Sequence, residues 1–157
     1  WSPMQFSNSK NIVCHQSTTA PEILNDIRLC NLGTWAAFVH GAGTGGTIEG
    51  IRQYIRSTKL ATRVCMVKPA ESPHKIQGIA DGKDFLASEA DMDCIIQVPS
   101  DVAIKEAKTF CKETGLLVGI SSGANIWAAK EYEKANPGSG IIVTMLCDRG
   151  ERYLSIY

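Results

Sequence analysis

The sequence predicts an α/β fold, an open parallel sheet with helices on both faces. Two observations carry this. Strand-like and helix-like segments alternate along the 157 residues, as in successive βαβ units. Most of the strand-like segments are unbroken apolar runs, the pattern of strands covered on both sides rather than of a half-solvated antiparallel sheet. The length fits one domain over residues 1–157.

The first dozen residues are polar and read as irregular. Thr19, placed to cap, and Pro21 open a helix to about Leu29, with Ile23, Leu24 and Ile27 at helical spacing. Residues 36–39 read as a buried strand that runs into Gly41-Ala42-Gly43-Thr44-Gly45-Gly46-Thr47, and a helix with Ile48, Ile51 and Ile55 on one face follows. Residues 63–67 form the next strand, stopped by Pro69, and Glu71-Ser72-Pro73-His74 with Gly78 and Gly82 mark a loop. Residues 94–98 are a strand; Ser100 is placed to cap a helix through Thr114, with Gly115 as its stop. Residues 116–120 are apolar and lead into Ser121-Ser122-Gly123, a helix from about Ala124 to Lys134 ends at Asn136-Pro137-Gly138, and residues 141–146 are the last strand.

Composition removes several classes of function. Sixteen basic residues balance sixteen acidic ones, so there is no basic excess for a nucleic-acid partner. The longest apolar runs are too short to span a bilayer, and the start lacks the basic and apolar regions of a signal peptide. None of the six cysteines forms a CxxC pair, which removes the usual metal-site spacing. Several lie in apolar runs, so free thiols in a reducing, cytoplasmic setting are expected. Residue 1 is Trp rather than Met, and the chain is expected to be incomplete at that end.

The strongest chemical signal is strand, then Gly43-Thr44-Gly45-Gly46-Thr47, then helix. Glycines let backbone approach a ligand closely. The first amides of a helix lack internal partners, and with the helix dipole they favour an anion. Thr44 and Thr47 add hydroxyl donors, and a phosphate is the natural guest. A second reading stays open, since Gly41, Gly43 and Gly46 also satisfy G-x-G-x-x-G, the dinucleotide fingerprint. There an acid should end the second strand, but this strand ends in Val67-Lys68-Pro69 with Glu71 beyond; Lys68 would suit a 2′-phosphate.

Further segments carry a resemblance. Gly119-Ile120-Ser121-Ser122-Gly123-Ala124, Pro73-His74-Lys75-Ile76-Gln77-Gly78-Ile79 and Gly150-Glu151-Arg152-Tyr153-Leu154-Ser155 are similar, in order, to segments of the cysteine synthase (O-acetylserine sulfhydrylase) family. So are Gln5-Phe6-Ser7-Asn8 and Thr18-Thr19-Ala20-Pro21-Glu22-Ile23 near the start. The resemblance implies a tryptophan-synthase-β-like fold and pyridoxal 5′-phosphate as cofactor. It implies that Gly43, Thr44, Gly45, Gly46 and Thr47 cradle the cofactor phosphate, that Ser121 (or its neighbour Ser122) meets the pyridine nitrogen, and that Gln77, Gly78 and Ile79 line the substrate side. On the residues alone, both serines also fit as helix caps ahead of Ala124. The implied substrate is a small amino acid, O-acetylserine, with sulfide as nucleophile; cyanide- and homocysteine-using relatives fit the same motifs. A homodimer is compatible.

The resemblance also implies what this chain lacks. The family's Schiff-base lysine and its substrate-carboxylate loop precede the region matched here, so the N-terminal catalytic-lysine domain is expected to be absent and the chain inactive alone. A non-catalytic phosphate-binding paralogue with a regulatory role is the alternative. The family's glycine-rich stretch between Ser72 and Pro73 is missing, Lys68 stands where a glutamate is usual, and Asp81 and Lys83 are expected to bring charge near the cofactor face. His15, His40 and His74 read as structural or loop histidines, and Cys147 as packing at the ligand-side end of the last strand.

Overall fold

The computed structural model describes residues 1–79 and 85–156. Four parallel strands form one sheet in the order β3-β2-β1-β4. They are β1 (Trp35–Gly41), β2 (Arg63–Pro69), β3 (Cys94–Val98) and β4 (Ile141–Val143). The helices are α1 (Lys10–Ser17), α2 (Thr19–Leu29), α3 (Gly46–Ser57), α4 (Ser100–Thr114) and α5 (Ile120–Ala135), with short 3-10 turns at Glu89–Asp91 and Gly150–Tyr153. The α/β architecture with a parallel sheet is therefore the one the apolar runs predict.

The sheet separates two apolar clusters. Phe38, Val64 and Met66 face Leu24 and Ile27 of α2 and Ile48, Ile51 and Ile55 of α3. Ala37, Val39, Cys65 and Val67 face Ala103 of α4 and Ile120, Ala124 and Ala128 of α5. Alternate residues of β1 and β2 thus enter opposite cores, while β3 leaves Ile95 and Gln97 exposed at the sheet edge.

Several local expectations need correction. The opening segment contains a helix: α1 buries none of its own residues, so it has no apolar stripe to read. It lies on α3 where Gly50 lets it approach; a Cβ on Gly50 would stand 2.6 Å from the Ile12 carbonyl oxygen. Helix α5 begins at Ile120, four residues before the sequence-based start. Ser-Ser-Gly has poor helix propensity, but Gly123 packs under Ala103 and Ala107 of α4, and that contact overrides propensity. Strand β4 stops at Val143; beyond it, the Thr144 hydroxyl donates to the Val39 carbonyl at 2.6 Å in place of a ladder bond.

The expected caps are also used differently. Thr19 opens α2 but its Oγ1 pairs with His15 Nδ1 at 2.9 Å. The Ser100 hydroxyl accepts from the Lys75 amide at 2.8 Å, tying the loop before Ile76 to α4. Gly119, not a serine, is the N-cap of α5. Finally, Cys65 and Cys94 are joined in a disulfide rather than free. They are register partners on adjacent strands, with Cα atoms 4.6 Å apart, a neighbourhood that a sequence separation of 29 hides from the sequence. Cys14, Cys30, Cys111 and Cys147 are free.

Candidate phosphate site

Parallel sheets bind ligands beyond the C-terminal ends of their strands. Here β1 ends at Gly41, and the glycine loop turns from it into α3. Gly45 takes φ +86°, a left-handed conformation that suits glycine and lets the chain reverse in one step. The outer side of the loop is braced, since the Leu86 amide donates to the Thr44 carbonyl at 3.0 Å and a Cβ on Gly45 would stand 2.6 Å from the Ala87 nitrogen. The inner side opens on a cavity of about 340 Å³ lined by residues of the loop together with His15, His40, Gly78, Met145 and Cys147. At the start of α3 the Gly46 amide is taken by Thr44 Oγ1 at 3.2 Å, and that of Glu49 by the Gly45 carbonyl. The amides of Thr47 and Ile48 take no partner among the described residues.

Of the predicted site residues, Gly43, Thr44, Gly45, Thr47 and Gly78 line the cavity, whereas Gly46, Gln77, Ile79 and Ser121 are outside its lining. A Cβ on Gly43 would lie 2.5 Å from the Gly78 carbonyl oxygen, so residues 43 and 78 touch backbone to backbone. A Cβ on Gly78 would lie 3.5 Å from Ser121 Oγ. Ile79, buried, packs its side chain against Gly41, whereas Gln77 is exposed. Ser121 is buried in the first turn of α5. The neighbouring Ser122 Oγ accepts from the Cys147 amide at 3.0 Å. Asp81 and Lys83 lie outside the described residues.

Residues that sequence reasoning set aside complete the site. Asn11 of α1 donates to Thr44 Oγ1 at 3.1 Å, and His15 Nε2 pairs with Thr47 Oγ1 at 3.2 Å, so α1 holds both threonines of the loop. Burial lowers the pKa of His15. His40 is buried at the end of β1, and desolvation, with a smaller effect of His15, lowers its pKa to about 4. Asn125 of α5, fully buried, accepts from the Gly41 amide at 2.9 Å and donates to the Met145 carbonyl at 3.0 Å and to His40 Nδ1 at 3.2 Å. It lies two residues past the Ser-Ser-Gly motif, and its polarity within a helix was the available signal. Cys147 is open to solvent, but surrounding protein pushes its thiol pKa up, which argues against a thiolate nucleophile. Asp148 accepts a short hydrogen bond from Tyr153, whose pKa rises to about 12 through burial and that carboxylate.

Among the described residues there is no group of three or more His, Cys, Asp or Glu side chains able to hold a metal, and no helix long and apolar enough to cross a membrane. The dinucleotide reading gains nothing, since Lys68, the residue offered to a 2′-phosphate, is paired with Glu89.

Comparison with known proteins agrees with this geometry. The sequence pattern of the family described as pyridoxal-phosphate dependent enzyme matches residues 2–148. The cysteine synthase of Buchnera aphidicola is 40% identical, over 96% of this chain and 53% of its own length. The structure superposes on O-acetylserine sulfhydrylase isoform 3 of Entamoeba histolytica with a TM-score of 0.86 and 36% identity, over 96% of this chain and 47% of that one. It superposes on a hydrogen sulfide-producing enzyme of Fusobacterium nucleatum with a TM-score of 0.86 and 35% identity, over 99% of this chain and 49% of that one. The chain thus spans about half the length of these relatives.

Proposed function

Because this chain belongs to the pyridoxal-phosphate-dependent enzyme family, we propose that it is the cofactor-phosphate-binding part of a cysteine synthase-like enzyme. Such an enzyme replaces the acetoxy group of O-acetylserine with sulfide, giving cysteine and acetate. The family's cofactor is pyridoxal 5′-phosphate, which when bound supplies the electron sink for chemistry at the α and β carbons of an amino acid. Gly43, Thr44, Gly45, Gly46 and Thr47 hold its phosphate, Ser121 meets the pyridine nitrogen, and Gln77, Gly78 and Ile79 line the substrate side. A serine hydroxyl at the nitrogen is neutral and does not fix a proton there, which suits β-replacement over transamination. The resemblance puts the Schiff-base lysine in the half of the relatives that this chain does not match, so these 157 residues by themselves are expected to bind the cofactor without turnover. A cytoplasmic homodimer is compatible with this reading.

One observation supports the reading: Gly78 meets the glycine loop backbone to backbone at the cavity wall, and the Ser121 hydroxyl lies next to Gly78. The amides of Thr47 and Ile48 at the start of α3, without a partner among the described residues, supply the anion end. Ser121 stands across Gly78 from the loop, and its hydroxyl would meet the ring nitrogen of a cofactor held there by its phosphate. These features fit a phosphate ester joined to a polar heteroaromatic ring. Neither a regulatory paralogue nor a nicotinamide enzyme draws support from the matches described above.

The test is thermal unfolding of the purified chain with pyridoxal 5′-phosphate, with pyridoxal, and with inorganic phosphate as competitor. The phosphate ester should raise the Tm, as a ligand selective for the folded state does. Pyridoxal should not, and inorganic phosphate should reduce the effect. Supplied with O-acetylserine and sulfide, the chain alone should form no cysteine above background. Equal stabilisation by pyridoxal, or preference for a nicotinamide dinucleotide, would reject the reading.

A further inference from the structure

His40 is one of the wall residues of this cavity that neither the glycine loop nor the substrate-side segment accounts for. Its tautomer follows from its neighbours. The Gly41 amide can only donate, so the atom of Asn125 facing it is the carboxamide oxygen. The Met145 carbonyl can only accept, so the atom facing it is the carboxamide nitrogen. Two independent backbone groups therefore fix the orientation of the Asn125 amide. Its nitrogen also points at His40 Nδ1, 3.2 Å away. The longer contact of that nitrogen with Cys147 Sγ, 3.6 Å, leaves the assignment unchanged, because sulfur is the weaker acceptor. Nδ1 is thus an acceptor, and in the neutral ring the proton sits on Nε2.

Nε2 takes no partner among the described residues, and it is not one of the polar atoms sealed in the interior without one. His40 lines the cavity beside Gly41, Gly43, Thr44 and Thr47. With Nδ1 taken by Asn125, Nε2 is the ring nitrogen left to meet a ligand in the cavity, and burial keeps the ring uncharged near neutrality.

We propose that His40 is a further ligand-binding residue of this site: a neutral imidazole, locked by Asn125 as the Nε2–H tautomer, that donates one hydrogen bond to an oxygen of the phosphate-bearing ligand. This rests on the phosphate reading of the cavity. The role is binding, and no proton is transferred. The donor adds to the backbone amides of the loop without adding charge, so it favours an oxygen-rich ligand over an apolar one at that wall.

The experiment uses the unmodified chain labelled with 15N in its histidines, and inorganic phosphate as probe. The His40 ring should give the spectrum of an Nε2–H tautomer at neutral pH, and titration with phosphate should shift its Nε2 resonance and slow exchange of the attached proton. In parallel, His40→Phe should weaken phosphate binding roughly tenfold, the worth of one hydrogen bond to a charged acceptor. His40→Gln, which keeps an amide donor, should recover most of that loss. An Nδ1–H tautomer, an Nε2 signal indifferent to bound phosphate, or equal affinity in His40→Phe overturns the assignment of His40 alone. Failure of the unmodified chain to bind phosphate overturns the phosphate reading and this proposal together. Should His40→Phe not fold, the spectra of the unmodified chain decide.

Discussion

The Asn125 carboxamide oxygen accepts the Gly41 amide at 2.9 Å, joining residues 84 positions apart. Through its nitrogen the same side chain reaches Met145, so one buried amide ties the end of β1, helix α5 and the segment after β4. These are the elements that end at the cavity. Asn125→Leu would leave the buried Gly41 N–H without its partner and the part-buried Met145 C=O with only the weak Cys147 thiol, each costing at most about 1–3 kcal/mol. A loss of roughly 2–5 kcal/mol is expected, read as a fall in the urea midpoint with little change in slope. Asn125→Asp keeps the oxygen for Gly41 but sets an oxygen against the Met145 carbonyl and His40 Nδ1, and it should be no more stable than Asn125→Leu at neutral pH.

The parts of this fold that the sequence discloses are those built from apolar periodicity and glycine punctuation. Ile48, Ile51 and Ile55 read as one face of a helix and lie fully buried in a single cluster. Gly115 reads as a helix stop and takes φ +76°. The glycine loop is legible because its chemistry is local. What stays hidden depends on contacts between distant segments. Helix α1 is held through Asn11 and His15 to the threonines of the loop, and polar contacts of that kind leave no stripe. The Cys65–Cys94 disulfide needs the strand order, and the role of Asn125 needs the meeting of three strand and helix ends. Ser121 and Ser122 look alike in sequence; only the direction of each side chain separates one facing Gly78 from one holding the Cys147 amide.

Gly43→Ala tests the backbone contact at the centre of the site. The added methyl would stand 2.5 Å from the Gly78 carbonyl oxygen, and neither backbone can yield without moving the other. Residues 77–79 should be pushed off the loop, so the Tm increase produced by pyridoxal 5′-phosphate should vanish. Gly115→Ala is the control. Its methyl meets nothing within 4 Å, so its cost is the left-handed φ alone, about 1 kcal/mol of stability, with the ligand response intact.

Ser121→Ala separates the two ends of the ligand. The hydroxyl lies across Gly78 from the anion loop, so affinity for inorganic phosphate should not change. Affinity for pyridoxal 5′-phosphate should fall by about 1 kcal/mol, the net worth of one neutral hydrogen bond, roughly fivefold. Competition between the two ligands measured by calorimetry reads the ratio directly. An equal fall for both would place Ser121 at the phosphate instead.

The acid limb of stability should carry the signature of His40. Its pKa is lowered from 6.5 to about 4, first by burial and then by His15. The unfolded chain therefore takes up the proton first as pH falls. Stability is unaffected above the unfolded value of 6.5, is lost progressively down to about 4, and loses nothing more from this group below that. The gap corresponds to roughly 3 kcal/mol. Protonation also places a proton on Nδ1 against the Asn125 nitrogen, so the charged ring must break the lock that holds Gly41 and Met145. His15, lowered by burial alone, acts in the same direction. Urea unfolding of the unmodified chain and of His40→Gln between pH 4 and 7 isolates the His40 share, because carboxylates and His15 are common to both. The two stability curves should be parallel above pH 6.5 and converge below it; parallel curves throughout would mean that His40 titrates as it does in the unfolded chain.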